Sequence, residues 1–130
     1  IVWYCPPERM VLFPKELKIS KSTQQVLRKN EFIITENEAF EEVIFNCKNT
    51  VRKDGFGTWI TDEMEQAYIE LFKKGHAKSI EIWLPNTENR SVNCDKKVLV
   101  GGLYGIEIGT VFCGESMFSY KNDASNSFCK

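Results

Sequence analysis

Two long β-type runs, Val98 to Ile108 and Val111 to Ser119, stand on either side of the dipeptide Gly109-Thr110. A connection this short with a glycine in it reads as a hairpin, so the last third of the chain is committed to two adjacent antiparallel strands. Within the runs, Gly101, Gly102, Gly105 and Gly114 interrupt the side-chain surface. A glycine inside a strand marks a bulge or a close approach by a ligand or another backbone, whereas the turn itself accounts for Gly109.

Upstream, hydrophobic periodicity divides the chain into shorter pieces. Val2 to Tyr4 and Val11 to Phe13 read as short extended segments around Pro6-Pro7, and Ser20 to Lys29 as a helix with a thin apolar stripe and capping-box spacing at Ser22 and Gln25. Glu31 to Ile34 reads as a strand. Thr35 and Glu38 have capping-box spacing ahead of Phe40, Val43, Ile44 and Cys47, which recur at one face of a helix. Lys48 to Phe56 reads as a loop. Thr61 then caps the strongest helix, with Asp62 and Glu63 at its positive end, an apolar stripe through Met64, Ala67, Tyr68, Leu71 and Phe72, and Lys73-Lys74-Gly75 as its stop. Ile80, Ile82 and Leu84 alternate with Ser79, Glu81 and Trp83 as a strand, and residues 85–97 form a polar connection longer than a hairpin needs. The order of elements predicts an α+β fold in one domain, with helices covering a mostly antiparallel sheet.

Composition narrows the function classes. Eighteen acidic against seventeen basic residues give a net charge of −1, so a polyanion partner needs a local patch. No run is long and apolar enough for a membrane span, and Ile1 to Pro7 lack the pattern of a secretory leader. The five cysteines are widely spaced and there is a single histidine, a poor basis for a zinc site or a disulfide framework, so no metal is expected and the thiols read as reduced. A start at Ile1 and an end at Lys130, just after the helix-start residues Asp123, Ala124 and Ser125, read as an excerpt of a longer protein.

Several groups carry possible chemistry. Lys15, Lys18, Lys21, Arg28 and Lys29, opposed only by Glu16, suit either phosphate neutralisation or a plain solvated helix face. Leu103, Tyr104, Phe112, Met117 and Phe118 are apolar and lie among the glycines with Glu115 and Ser116, which suits a pocket with convergent polar groups or ordinary sheet core. A carboxylate at Glu115 must be paired, exposed or functional. Cys113 and Ser116 lack the partners of an activated nucleophile, and His76 reads as a helix-end residue.

Five phrases fit together in order: Glu8 to Pro14 (ERMVLFP), Gly57 to Thr61 (GTWIT), Gly75-His76-Ala77, Gly101 to Gly105 (GGLYG) and Phe112 to Ser119 (FCGESMFS). With this spacing the chain closely resembles the bacterial leucyl/phenylalanyl-tRNA–protein transferases over almost its whole length. The resemblance implies an acyl-CoA N-acyltransferase-like (GNAT-like) fold and an enzyme of the cytoplasm. Its reaction is the transfer of Leu, Phe or Met from aminoacyl-tRNA to the N-terminal Arg or Lys of a protein, marking it for N-degron proteolysis, without a cofactor, a membrane or DNA. It implies an aminoacyl pocket drawn from Trp59, Leu103, Phe112, Glu115, Ser116 and Met117, and a tRNA-binding cluster at Lys21, Arg28 and Lys29. Leu103 stands where some relatives have Met, and Gln24 and Gln25 replace basic residues found in others. The family's small first domain is expected before Ile1. Its Asp-x-Gln pair, which helps the acceptor amine attack, is expected after Lys130, so the chain by itself is expected to be inactive.

Strict alternation sets a geometric condition on that pocket. It places Phe112 and Ser116 on one face of the last strand and Glu115 and Met117 on the other, so the strand must bulge or twist, with Gly114 the candidate position. Two other readings make different demands. A CoA-dependent N-acetyltransferase needs a glycine-rich turn where this chain has Tyr120 to Ser125, and a non-enzymatic RNA-binding module uses only the basic helix.

Overall fold

The computed structural model describes residues 6–29, 31–50, 58–85 and 97–120. The predicted segments Val2 to Tyr4 and Asp123 to Ser125, the long connection between the second and third strands, and Cys5, Cys94 and Cys129 lie outside them. Pro14–Glu16 form one 3₁₀ turn, followed by α1 (Lys21–Lys29), β1 (Ile33–Glu36), α2 (Phe40–Asn49), α3 (Asp62–Lys73), β2 (Ala77–Pro85), β3 (Lys97–Ile108) and β4 (Val111–Ser119). The four strands make one sheet in the order β1-β2-β3-β4, every neighbouring pair antiparallel. The architecture is the predicted α+β layer, and no helix among the described residues is long and apolar enough to cross a membrane.

Local chemistry explains most boundaries. Thr61 Oγ1 accepts from the Met64 N–H at 3.2 Å and caps α3. At the other end Gly75, at φ +81°, donates its N–H to Phe72 O while the His76 N–H reaches Leu71 O, a left-handed stop that a side chain would strain. Gly109, at φ +60°, turns β3 into β4. Three boundaries differ from the sequence reading. Val11 to Phe13 are exposed and make no strand. The cap of α1 is Ser20, whose Oγ accepts from the Thr23 N–H at 3.2 Å, instead of Ser22. Thr35 does not cap α2, because it lies in β1 and its side chain is engaged elsewhere.

Both long helices cover the same face of the sheet, α2 across β3 and β4 and α3 against β2. Phe40, Val43, Ile44 and Cys47, the four residues of the predicted α2 stripe, are all buried there with Tyr68, Ile69, Trp83, Leu99, Tyr104 and Phe118. Gly102 makes the contact possible, since a Cβ on it would fall 2.5 Å from Phe118 Cε1 and 2.9 Å from Val43 Cγ2. On α3 the inward positions are Tyr68 and Ile69, and Ala67 is exposed. Lys48 pairs with Asp62 and Glu65, joining the end of α2 to the start of α3 and holding the Asp62 carboxyl below its ordinary range. On the opposite face Ile82 and Val100 are buried with Phe32, Ile34 and Leu84 packed on them.

The alternation of β2 conceals a buried polar cluster. Ser79 and Glu81 face the helices and are 0% exposed. Glu81 accepts from Thr35 Oγ1 at 2.6 Å, from Ser79 Oγ at 2.5 Å, and from the N–H groups of Ala39 at 3.3 Å and Glu38 at 3.4 Å. Thr35 Oγ1 accepts in turn from Trp83 Nε1 at 2.8 Å. A strand side chain thus satisfies free N–H groups at the head of α2, where Ala39 has no cap of its own. Four donors converge on one carboxyl group, so Glu81→Gln, which turns an amide N–H₂ toward donors, is expected to lower unfolding stability by about 2 kcal/mol. Ser79→Ala removes a single donor and is expected to cost about 1 kcal/mol. Denaturant unfolding of the full-length protein checks the ranking, and equal losses contradict it.

Candidate functional site

The β3–β4 ladder contains the irregularity that the pocket requires. Gly101, Gly102, Leu103 and Tyr104 pair with Ser119, Phe118, Met117 and Ser116, whereas Gly105 to Ile108 pair with Gly114 to Val111. The register shifts by one between the two sets, leaving Glu115 as the extra residue of β4. The bulge therefore lies beside Gly114, the position that alternation pointed to. The steric need for glycine falls across the ladder: a Cβ on Gly105 would lie 2.3 Å from Cys113 O and 2.6 Å from Phe112 Cζ. At Gly114 a Cβ would meet only ordinary contacts, 3.6 Å from Leu103 and 3.9 Å from Phe112.

This extra residue sorts the predicted pocket members. Met117 pairs with Leu103 on the face turned away from α2 and α3, and the ring of Phe112 crosses to Gly105 on that same face. Leu103, Phe112 and Met117 form an apolar set there, Phe112 41% and Met117 48% exposed. Ser116 pairs with Tyr104, whose ring meets Phe40 and Tyr68, so it lies on the helix face and is buried. Glu115, half-buried, reaches the Tyr68 hydroxyl of α3. Trp59, 40% exposed, stands at the head of α3 beside the buried Ile60. The structure brings Leu103, Phe112 and Met117 together on one side of β4 and Glu115 and Ser116 on the other, with the bulge between the two sets.

Lys21, Arg28 and Lys29 all lie on α1 and are exposed. They fall within about 100° around the helix axis and span about 12 Å along it. The half-buried Thr23, Val26 and Leu27 occupy the opposite side of the helix, so the cations share one outward face. Cys113 pairs with Ile106 and is a free thiol, and His76 is exposed.

Comparison with known proteins follows from this arrangement. The family profile described as leucyl/phenylalanyl-tRNA protein transferase matches residues 11–129. The chain belongs to that family. The leucyl/phenylalanyl-tRNA–protein transferase of Flavobacterium johnsoniae is 50% identical over 127 residues, covering 98% of this chain and 55% of the relative. Those of Hydrogenovibrio crunogenus and Yersinia enterocolitica serotype O:8 are 46% and 47% identical, over 96% and 98% of this chain and 44% and 48% of their own lengths. The chain spans about half the length of the curated relatives it matches.

Sequence reasoning missed two tyrosines that this family member places behind Glu115. Burial first, and Glu115 second, push the Tyr68 phenol up to about 12. Burial raises Tyr104 further, with Tyr68, Cys47 and Glu115 adding to it. Its hydroxyl has no hydrogen-bond partner among the described residues. The apolar spacing on α3 marked Tyr68 as core and carried no sign of its polar contact. Both phenols are raised above their unfolded value near 10, so the stability they contribute is intact below about pH 10 and is lost as pH rises through about 12 and beyond. Tyrosinate absorbance followed together with far-ultraviolet circular dichroism is expected to show Tyr68 and Tyr104 ionising only as the fold opens. Complete tyrosinate formation by about pH 11 with helical signal intact contradicts this.

Proposed function

We propose that this chain supplies most of the aminoacyl pocket of an enzyme that moves Leu, Phe or Met from the 3′ end of an aminoacyl-tRNA to the N-terminal Arg or Lys of a protein, as the family's name and the resemblance of its motifs suggest. The observation that carries the reading is the bulge at Glu115. It puts an apolar patch of Leu103, Phe112 and Met117 and a carboxylate on either side of one outer strand. An aminoacyl ester offers the matching pair of groups, a hydrocarbon side chain and an α-amino group.

Straight or γ-branched side chains suit such a slot, and β-branched ones meet its floor too early; one methylene is worth about 1–3 kcal/mol of discrimination. Trp59 and Ser116 complete the pocket in this reading. Lys21, Arg28 and Lys29 contact the tRNA backbone, which leaves selection to the esterified amino acid and suits acceptance of several tRNAs. Converting an ester to a peptide bond is downhill, so the remaining task is to orient and deprotonate the acceptor amine. We assign that task to groups outside this chain, and the domain to a GNAT-like fold, with which an antiparallel sheet covered by helices is compatible. The product's fate in this reading is N-degron proteolysis in the cytoplasm.

The test is transfer of labelled amino acid from aminoacyl-tRNA to a peptide with N-terminal Arg, catalysed by the full-length protein. Phe, Leu and Met are expected to transfer and Val and Ile to fail. Phe112→Ala is expected to lower kcat/KM for Phe-tRNA at least about tenfold, from lost apolar contact. Replacing Lys21, Arg28 and Lys29 together by Ala is expected to weaken all tRNAs alike and flatten the salt dependence by about two to three phosphate contacts. Tight acetyl-CoA binding with acetyl transfer, or tRNA binding without any transfer, overturns the reading.

A further inference from the structure

Glu115 poses a mechanical problem. As the extra residue of β4 it has no cross-strand partner on β3, so the ladder does not fix its side chain as it fixes those of Ser116 and Met117. A long side chain on a bulge has several rotamers open to it, and a group that must meet one atom of a substrate loses rate or affinity when it wanders.

The helix layer supplies what the ladder lacks. Tyr68 projects from α3 toward the bulge, and its hydroxyl donates a hydrogen bond to the Glu115 carboxylate. The phenol is well anchored. Its ring stands edge-on to Tyr104 at 5.1 Å and 68°, Tyr104 stands edge-on to Phe40 at 5.9 Å and 74°, and Phe40 stacks on Phe72 at 4.4 Å. This aromatic column runs from α3 through the sheet face and α2 back to α3, and both Tyr68 and Tyr104 are buried in it. A phenol whose ring is held on one side by packing has little freedom left, so its O–H points in a defined direction.

We propose that Tyr68 is a positioning residue for Glu115, aiming the carboxylate of the bulge at the aminoacyl group. The proposal rests on the reading of Glu115 as a pocket residue. Tyr68 touches no substrate in this scheme and acts only through Glu115. The neighbouring Tyr104 braces the ring of Tyr68 and has no such role for its own hydroxyl, which lacks a partner among the described residues.

Transfer kinetics on the full-length protein test this with Tyr68→Phe, Glu115→Gln, the double variant and Tyr104→Phe. Each change keeps the shape of the side chain, and thermal unfolding verifies that the variants fold. Tyr68→Phe is expected to lower kcat/KM for Phe-tRNA about tenfold while affinity for deacylated tRNA stays unchanged. The double variant is expected to match Glu115→Gln within about twofold, because a residue that acts through another has nothing left to do once that partner is gone. Tyr104→Phe is expected to retain wild-type kcat/KM. Multiplicative losses in the double variant, a wild-type rate for Tyr68→Phe, or equal losses at Tyr68 and Tyr104 overturn the positioning role and leave the pocket reading standing. A wild-type rate for Glu115→Gln overturns both.

Discussion

One unmatched residue in the outer strand determines which side of the sheet each candidate group occupies. Had β4 paired without the shift at Glu115, Phe112 and Ser116 would share one face and Glu115 and Met117 the other. The extra residue reverses that sorting. Phe112 joins Met117 and Leu103 on the open face, and Ser116 joins Tyr104 under the helices. The reversal is anchored on β3, where Gly105 leaves room for both the Phe112 ring and the Cys113 carbonyl. The apolar patch and the carboxylate come from the same short strand because the backbone between them is locally out of register.

The rest of the molecule holds that strand still. Phe118 of β4 is locked against Val43 through the gap at Gly102, so the position of α2 sets the position of β4. The head of α2 is in turn held by Glu81, reaching across from β2 to the N–H groups of Glu38 and Ala39. Lys97 adds a second tie, bonding Glu38 at 2.6 Å while lying 4.5 Å over the Trp83 ring. From Thr35 through Glu81 to α2, and from α2 to Phe118, the contacts form a continuous chain of buried groups that ends at the bulged strand.

What the amino-acid pattern disclosed and what it hid follow from the range of each interaction. The buried stripe of α2, the Thr61 cap, the left-handed stop at Gly75 and the hairpin at Gly109 are decided within a few residues, and spacing reveals them. The bulge was legible through a conflict, since alternation separated residues that the family resemblance grouped. Its steric origin at Gly105 was not legible, because it depends on an atom across the ladder. Glu81 and Ser79 looked like the solvated side of an amphipathic strand, and only the arrival of α2 and α3 on that side makes them core. Thr35 had the spacing of a helix cap and was drawn instead into β1 by an acceptor forty-six residues away. The link from Tyr68 to Glu115 joins two segments that no local pattern relates.

Membership of the leucyl/phenylalanyl-tRNA protein transferase family and the geometry of β4 lead to a specific picture, in which one ligand straddles the bulge. Its hydrocarbon part lies on the open face and its amino group turns toward the carboxylate. The most direct measurement is a crystal structure of the full-length protein with a non-hydrolysable phenylalanyl-adenosine analogue. The account predicts the phenyl ring against Leu103, Phe112 and Met117 and the α-amino nitrogen within hydrogen-bond distance of Glu115. An analogue bound elsewhere, or a ring buried on the helix side of β4, would contradict it.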